Sequence, residues 1–568
     1  MNATALPKSD LVNVASHLRK VARQQPYKRA VVCAAGRDGN GRATYSHLTF
    51  RQLDKESDCL AHGLQTAGVT RYTRTILMVQ PSLEFFALIF ALFKIGAVPV
   101  VVDPGMGIRR MVACFKSTRP EAFIGIPLAH LARAVYPQYF RTVKTWITVG
   151  RRWFWGGLTL EKIRHTPWDA FPIANTGRDD MAAILFTTGS TGPAKGAVYT
   201  HGNFDAQLIQ IKTHIHFASD EVDLSTFPLF ALFYPALGIT AVMPDMDPTQ
   251  PARANPERII EAIINQGVTN MFASPALLNR VGQFGQQRKM KLPSLKRVIS
   301  AGAPVSAATI ERFSTLLCGE AEVHTPYGAT EAVPILSITS KEILSETRQL
   351  SEQGYGICVG RPINDIVIQI IKISDDPIAS WSPNLLIAAG EVGEIVVSGE
   401  LVSRHYFENT WADSLAKIKE GNRVWHRMGD LGWMDKKGRI WFCGRKSHRV
   451  ITENGTLFTI PCEAIFNNHP HIMRSALVGI GSPPKQQPVI CIELEKSERL
   501  TDKDRLREEL LELGAQNELT RSIQTVLFHR AFPVDIRHNS KIFREKLAVW
   551  AEKQLRKAER SRLKAAKD

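Results

Sequence analysis

The spacing of apolar residues changes period in a regular way along the first third of the chain. Residues 45–50 (Tyr-Ser-His-Leu-Thr-Phe) lead into a helical spacing that runs from Leu53 to Leu64, and the apolar run 75–79 then predicts a strand. A helix apolar on every side is predicted over 83–94, followed by a strand over 97–102 that Asp103-Pro104-Gly105 closes. Strands alternating with helices over residues 1–180 predict an α/β fold with a largely parallel sheet covered on both faces. Further on, 181–186 and 197–199 predict buried strands, 204–215 a helix, and 227–238 an apolar wall interrupted by Pro228 and Pro235. Residues 448–568 predict a smaller α+β domain. Its end, from Glu545 on, is rich in Lys and Arg with Leu547 and Trp550 on one side, and predicts a solvated helix; docking to a partner or a membrane is the second reading.

The loop between the strands 181–186 and 197–199 carries the clearest chemistry. It reads Thr187-Thr188-Gly189-Ser190-Thr191-Gly192-Pro193-Ala194-Lys195-Gly196. Its glycines let the backbone curl with N–H groups pointing inward, its hydroxyls add donors, and Lys195 adds a charge, which together make a phosphate cradle. A flexible Gly/Thr linker would explain neither the lysine nor the flanking apolar strands. Only two residues separate Gly192 from Lys195 and no Ser or Thr follows the lysine, so this is not a GxxxxGK[ST] loop.

A length of 568 residues predicts more than one domain, and 44% apolar with 22% charged residues is ordinary for a globular protein. The formal net charge of +17 is not. Nucleic acid, anionic lipid or anionic small ligands would each account for it. No recognisable nucleic-acid motif accompanies the charge, so anionic small ligands are the simpler account and no nucleic-acid partner is expected. Eight scattered cysteines without a CxxC pair argue against a zinc site or a disulfide framework and for reduced thiols in the cytoplasm. The first residues lack the apolar core of a signal peptide, and the apolar run 85–93 stops at Lys94, far short of a bilayer span. A soluble chain is expected, with a peripheral membrane contact left open. No G-x-S-x-G elbow is present, which argues against a serine hydrolase.

A series of motifs in order resembles those of the adenylate-forming superfamily of acyl-CoA synthetases, luciferases and peptide-synthetase adenylation domains, over nearly the whole chain. The cradle resembles the signature T-S-G-[S/T]-T-G-x-P-K-G, with Thr188 for the first Ser and Pro193-Ala194 inverted. Gly302-Ala303-Pro304, after an apolar strand, resembles the adenine-binding turn, and Tyr327-Gly328-Ala329-Thr330-Glu331 matches Y-G-x-T-E. Met428-Gly429-Asp430-Leu431-Gly432 resembles T-G-D-L-G, and Phe442-Cys443-Gly444-Arg445 matches F-x-G-R. Near the end, Lys541 resembles the adenylation lysine of P-[K/R]-T-x-S-G-K.

The resemblance implies ATP and Mg²⁺ as cofactors. Tyr327 would pack on adenine, Thr330 would bond the α-phosphate, Glu331 would hold the magnesium, Asp430 would take the ribose hydroxyls and Arg445 would lie near ribose or phosphates. It also implies a large nucleotide- and acyl-binding domain over 1–446 and a small mobile domain over 447–568. Ser447 stands where the hinge residue is usually Asp or Lys. Within the superfamily, the chain resembles the β-lactone synthetases of bacterial long-chain olefin biosynthesis. Ala231 stands where acyl-CoA synthetases usually carry a His beside the acceptor tunnel. This likeness implies a long-chain 2-alkyl-3-hydroxy acid as substrate, with a reductase and a decarboxylase of the olefin pathway as neighbours or complex partners. A long-chain fatty acyl-CoA ligase is the rival reading, and a basic nucleic-acid-binding protein is the rival from another class.

Overall fold

The computed structural model describes residues 11–164, 169–186, 194–218, 220–495, 502–535 and 541–565. It is a mixed α/β protein with a large N-terminal and a small C-terminal part. Three large sheets stand among the described residues of the N-terminal part. The first runs in the order Leu158–Thr159, Thr145–Thr148, Ala122–Gly125, Arg74–Met78, Val98–Val102, Met181–Phe186, Gly196–Thr200. All neighbours are parallel except the last pair, which is antiparallel and flanks the predicted cradle. A second seven-stranded sheet runs Glu322–His324, Arg297–Ser300, Asn270–Ala273, Val222–Ser225, Thr240–Met243, Arg29–Arg37, Ala43–Thr49, again parallel but for its last pair. The third sheet is antiparallel and includes Tyr327–Ala329, Ala332–Ser337, Gly393–Ser398, Arg423–Met434 and Ile440–Arg445.

The predicted all-apolar helix forms as Leu83–Ile95, started by the Ser82 hydroxyl accepting from Phe85 N and ended by Gly96 at φ 75°. Every residue from Phe85 to Ile95 is buried. One continuous core joins this helix to Leu77 and Ala122 of the first sheet and to Val31 and Ala241 of the second. Lys94, where the apolar run stops in the sequence, does not turn to water. Its side chain is 0% exposed, and Nζ lies 2.6 Å from Asp54 Oδ1 and 2.7 Å from Asp58 Oδ1 on the neighbouring helix Phe50–Thr66. That helix begins with a capping box between Thr49 and Gln52, and the predicted helix 204–215 starts earlier, at His201, with Thr200 and Asn203 capping it in the same way. The apolar wall folds as two short helices, Pro228–Ala231 and Phe233–Leu237, with Ala231 fully buried.

The C-terminal part packs helices on a three-stranded sheet of Ile472–Ile480, Gln487–Leu494 and Val526–Phe528. Its last helix, Arg544–Ala565, corrects the expectation of a solvated tail. Leu547 and Ala551 are fully buried against Ala476, Val478 and Val489, because the first half of this helix carries an apolar stripe that the sheet needs as cover. Arg544 seals the junction with two 2.7 Å hydrogen bonds to Glu463. All eight cysteines are free thiols, and among the described residues no helix is long and apolar enough to cross a membrane.

Lys94 generates a stability prediction. Lys94→Met would leave Asp54 and Asp58 facing the core with only Arg19 to offset them, and should lower the unfolding free energy by about 3 kcal/mol. Urea denaturation would test this, and a change under about 0.5 kcal/mol would remove the ion pair from the core's requirements.

Candidate active site

Strand register sets the first cluster. Asp430 and Arg445 stand directly opposite one another on the antiparallel strands Arg423–Met434 and Ile440–Arg445. Arg445 Nε lies 3.1 Å from Asp430 Oδ1, and Tyr327 Oη donates to Asp430 Oδ2. Arg445 Nη1 also donates to the Met428 carbonyl at 3.2 Å, so the turn through Gly429, at φ 67°, is held from the side. Burial pushes the Asp430 carboxyl up, while the charge of Arg445, the Tyr327 hydrogen bond and the charge of Lys541 pull it back without cancelling the rise. Lys541 therefore faces this cluster from the C-terminal part. Asp430 Oδ1, though ion-paired, is buried and takes no hydrogen bond from any described residue.

The second cluster surrounds Glu331. Tyr406 Oη donates to Glu331 Oε1 at 2.7 Å, and the Glu331 carbonyl accepts from Ser403 N at 2.8 Å. Tyr199 Oη donates to the Thr330 carbonyl. Lys195 Nζ sits 5.3 Å from the centre of the Tyr406 ring on one approach, and Lys417 Nζ sits 5.4 Å from it on another. Lys417 is buried and donates to the Ser403 carbonyl. Burial lowers its ammonium to about 8 despite the opposing charges of Glu331 and Asp413, and the nearby Lys195 adds to the fall. His426 is pushed down to about 3, by burial first and then by Lys417. Burial alone would raise Glu331, yet His426, the Tyr406 hydrogen bond and Lys417 hold it below the usual carboxylate range. Near pH 7 His426 is neutral, whereas Lys417, at about 8, is still mostly protonated.

The two clusters form one site, for the charge of Glu331 reaches Asp430 and that of Arg445 reaches Tyr406. Among the predicted residues, Tyr327, Asp430, Arg445 and Lys541 converge in the first cluster, and Lys195, Thr330 and Glu331 in the second. Gly328 lies where an added Cβ would meet the Ala332 carbonyl at 2.5 Å, so the hairpin closes only around a glycine there. Gly302, Ala303 and Pro304 form a turn just past the C-terminal end of Arg297–Ser300, beside the strand Glu322–His324 that leads to Tyr327. Thr187, Thr188, Gly189, Ser190, Thr191 and Gly192 lie outside the described residues. Tyr199, Tyr406, Lys417 and His426 were not anticipated as site residues. Tyr406 and Lys417 reach Glu331 across long loops of sequence, and no local spacing signals that.

Chemically, this is a site for an anion. Lys195, Lys417, Arg445 and Lys541 outnumber the carboxylates of Glu331, Asp430 and Asp413, and the spare acceptor on Asp430 suits a hydroxyl donor. No group of three or more His, Cys, Asp or Glu stands ready for a metal among the described residues. A hard cation here would need oxygens from a bound phosphate beside Glu331, which is how Mg²⁺ is commonly held with nucleotides.

A basic, partly buried site where two mostly parallel sheets meet an antiparallel one marks an α/β protein with a place for an anionic ligand. The AMP-binding enzyme family model matches residues 18–407, and the chain belongs to that family. It is 46% identical over 551 residues to the olefin beta-lactone synthetase of Xanthomonas campestris pv. campestris, covering 96% of this chain and 98% of that one. The olefin beta-lactone synthetase of Stenotrophomonas maltophilia is 47% identical, covering 96% of this chain and 99% of the relative. Among solved structures, an amide bond synthetase from Marinactinospora thermotolerans superposes with a TM-score of 0.75 at 20% identity, over 94% of this chain and 99% of the other. ATP-bound MatB from Rhodopseudomonas palustris does so at 0.76 and 19%, with the same coverage. At such identities these two share the fold.

The lowered ammonium of Lys417 makes a pH prediction. The unfolded chain binds this proton more tightly, so between pH 8 and its ordinary 10.5 this group's contribution to stability rises with pH. The difference in unfolding free energy between the wild type and Lys417→Met should therefore change by up to about 3 kcal/mol across that window. A difference that stays flat from pH 8 to 10.5 would mean that Lys417 is not desolvated.

Proposed function

We propose that this chain activates a long-chain 2-alkyl-3-hydroxy acid with ATP and closes the resulting acyl-adenylate to a β-lactone, in olefin biosynthesis. The observation that carries this reading is the 46% identity to an olefin beta-lactone synthetase along nearly the full length of both chains. The charge distribution of the site supports the first half-reaction. A carboxylate oxygen attacking the α-phosphorus meets an anion, and the Pα–O bond to pyrophosphate breaks as the new bond forms. Lys541, Lys195 and the cradle's N–H groups would offset the developing charge. Asp430 would accept from the ribose hydroxyls, Tyr327 would lie along the base beside the turn 302–304, and Thr330 would bond the α-phosphate. Glu331, held by Tyr406 and opposed by Lys417, would be the carboxylate that holds Mg²⁺. The ion would neutralise phosphate oxygens as pyrophosphate leaves.

In the second half the substrate's own 3-hydroxyl oxygen would attack the acyl carbon, and the bond to AMP would break, releasing AMP and a proton. Attack within one molecule needs no second substrate and exploits a high effective concentration. Fully buried Ala231, in the apolar wall where a His would stand beside a thiol acceptor, favours this reading over a CoA ligase. We take residues 447–568 as the mobile domain, with Lys541 turned toward the nucleotide for adenylation and withdrawn afterwards. The turn Lys446–His448 at this boundary is tied down from both sides. Lys446 Nζ lies 3.0 Å from buried Glu394, and Arg449 pairs with Asp375 at 2.5 Å. A rotation there would exchange these contacts and leave Ser447 itself unencumbered.

Two outcomes test the reading. Lys541→Ala should reduce pyrophosphate release by a factor on the order of 10²–10³ while nucleotide binding persists, whereas Asp430→Ala should weaken nucleotide binding by about 1.5–3 kcal/mol. Wild-type pyrophosphate release from the Lys541 variant would take that lysine out of the chemistry. Second, a long-chain 2-alkyl-3-hydroxy acid with ATP and Mg²⁺ should yield a β-lactone, AMP and pyrophosphate at a rate indifferent to CoA, as read by NMR or mass spectrometry. Acyl-CoA formed only when CoA is supplied, with no lactone in its absence, would assign the chain to the CoA ligases instead.

A further inference from the structure

The parallel strands of the first sheet point their C-terminal ends to one edge, and that edge carries an unusual surface. Beyond Thr145–Thr148, residues 149–157 form a loop with Trp155 as its anchor. Trp155 is buried, stacks on His130 at 5.3 Å and 14°, and donates from Nε1 to Thr148 Oγ1 at 3.1 Å. Arg133 ties the far side of the loop by a 3.4 Å hydrogen bond to the Gly156 carbonyl. Held in this way, the loop presents Trp153 and Phe154 to solvent, 49% and 80% exposed. The helix Pro127–Val135, which supplies His130 and Arg133, adds an outward apolar stripe at i, i+3 and i+7. In it Leu128 and Val135 are 68% and 65% exposed, with half-buried Leu131 between them. A further apolar side chain, Ile108, is exposed at the start of the helix Ile108–Thr118, which follows the C-terminal end of Val98–Val102.

Charge on this edge is nearly all of one sign. Of the nine Lys and Arg in residues 104–160, Arg109, Arg110, Arg151 and Arg152 follow the C-terminal ends of strands at this edge, whereas Arg119, Arg141 and Lys144, with the one acid, Glu121, lead into strands from the opposite edge. Glu121 is already paired with Arg74 at 2.8 Å. Arg151 and Arg152 flank the exposed aromatics, and Arg109 and Arg110 follow Ile108. None of these four makes an ion pair with a described residue. The nearest acids at the edge are engaged: Asp103 accepts from Gly105 N, and Glu84 faces Arg164.

We propose that this edge is a membrane-docking surface, with Trp153 and Phe154 entering the acyl boundary of a bilayer and the arginines around them meeting anionic lipid headgroups. A rigid anchor beneath solvent-exposed aromatic tips costs little ordering on insertion, and aromatic side chains flanked by arginines suit the headgroup level. Aliphatic Leu128 and Val135 on the same face favour acyl chains over nucleobases, which would need further flat rings to stack on. The orientation has a consequence for the substrate. The strand Met181–Phe186 ends four strands along the same edge from Thr145–Thr148, a lateral distance of roughly 19 Å. Docking here would turn the mouth of the nucleotide site toward the lipid from which a long-chain acid can be drawn.

Co-sedimentation of the full chain with vesicles tests the surface by binding and not by turnover, so it stands or falls apart from the reading of the reaction. The wild type should sediment with vesicles of equimolar phosphatidylcholine and phosphatidylglycerol, much less with phosphatidylcholine alone, and less as salt is raised. Trp153→Ala with Phe154→Ala, and separately Arg151→Glu with Arg152→Glu, should each weaken binding about tenfold or more. All four side chains are exposed, though Arg152 donates to the Gly157 carbonyl and both aromatic rings touch Trp155, so the thermal melt should fall only slightly and pyrophosphate release from a water-soluble acid should be unchanged. Failure of the wild type to bind anionic vesicles, equal binding by either double variant, or binding of single-stranded DNA in place of vesicles would each overturn the proposal.

Discussion

A helix with no polar side cannot stand at a surface, and Leu83–Ile95 makes that requirement the organising constraint of the N-terminal part. Both parallel sheets must lie against it, since one sheet would leave half its circumference in water. Burying it also buries Lys94, and the cost of desolvating that ammonium is met only because Asp54 and Asp58 arrive on the adjoining helix. With the two sheets fixed on either side of one helix, the loops that lead from their strands converge near a common seam. The antiparallel sheet closes that seam, and the site is built where all three meet.

The site illustrates how burial and charge are balanced. Glu331 and Asp430 are both desolvated, yet burial raises only Asp430 above its ordinary range. Glu331 is hydrogen-bonded by Tyr406 and faces Lys417, whereas Asp430 has one oxygen without a hydrogen-bond donor. One carboxylate is therefore held charged, and the other keeps an oxygen that takes no hydrogen bond from a described residue. The cations around them have a matching asymmetry. Lys417 is buried and lowered to about 8, while the charge of Lys541 reaches Asp430 from the C-terminal part.

The same edge that opens the site also carries the basic and aromatic surface, and the parallel topology links the two. Parallel pairing puts the C-terminal ends of its strands at one edge of the sheet, so the end of Met181–Phe186 and the Trp153–Phe154 loop share that edge even though strands separate them. Arg109 and Arg110, remote in sequence from Arg151 and Arg152, are thereby brought to the same edge.

Local periodicity in the sequence was enough to place the buried helix, the flanking strands and the switch to an α+β C-terminal part, and the resemblance to the adenylate-forming superfamily pointed to Tyr327, Glu331, Asp430, Arg445 and Lys541. These features are written in neighbouring residues: an apolar period sets which side faces the core, and a glycine sets where the chain can turn. Pairing across the fold was decided only by tertiary structure. Asp430 meets Arg445 through strand register, Tyr406 and Lys417 reach Glu331 from another sheet segment, and Lys94 finds its carboxylates on another helix. The last helix looks solvated when its Lys and Arg are counted, yet its first turns are buried because a three-stranded sheet has a face to cover. Composition and spacing record what each residue can do, whereas crossovers and register choose its partner, and that choice is a free-energy balance over the whole core that no local window contains.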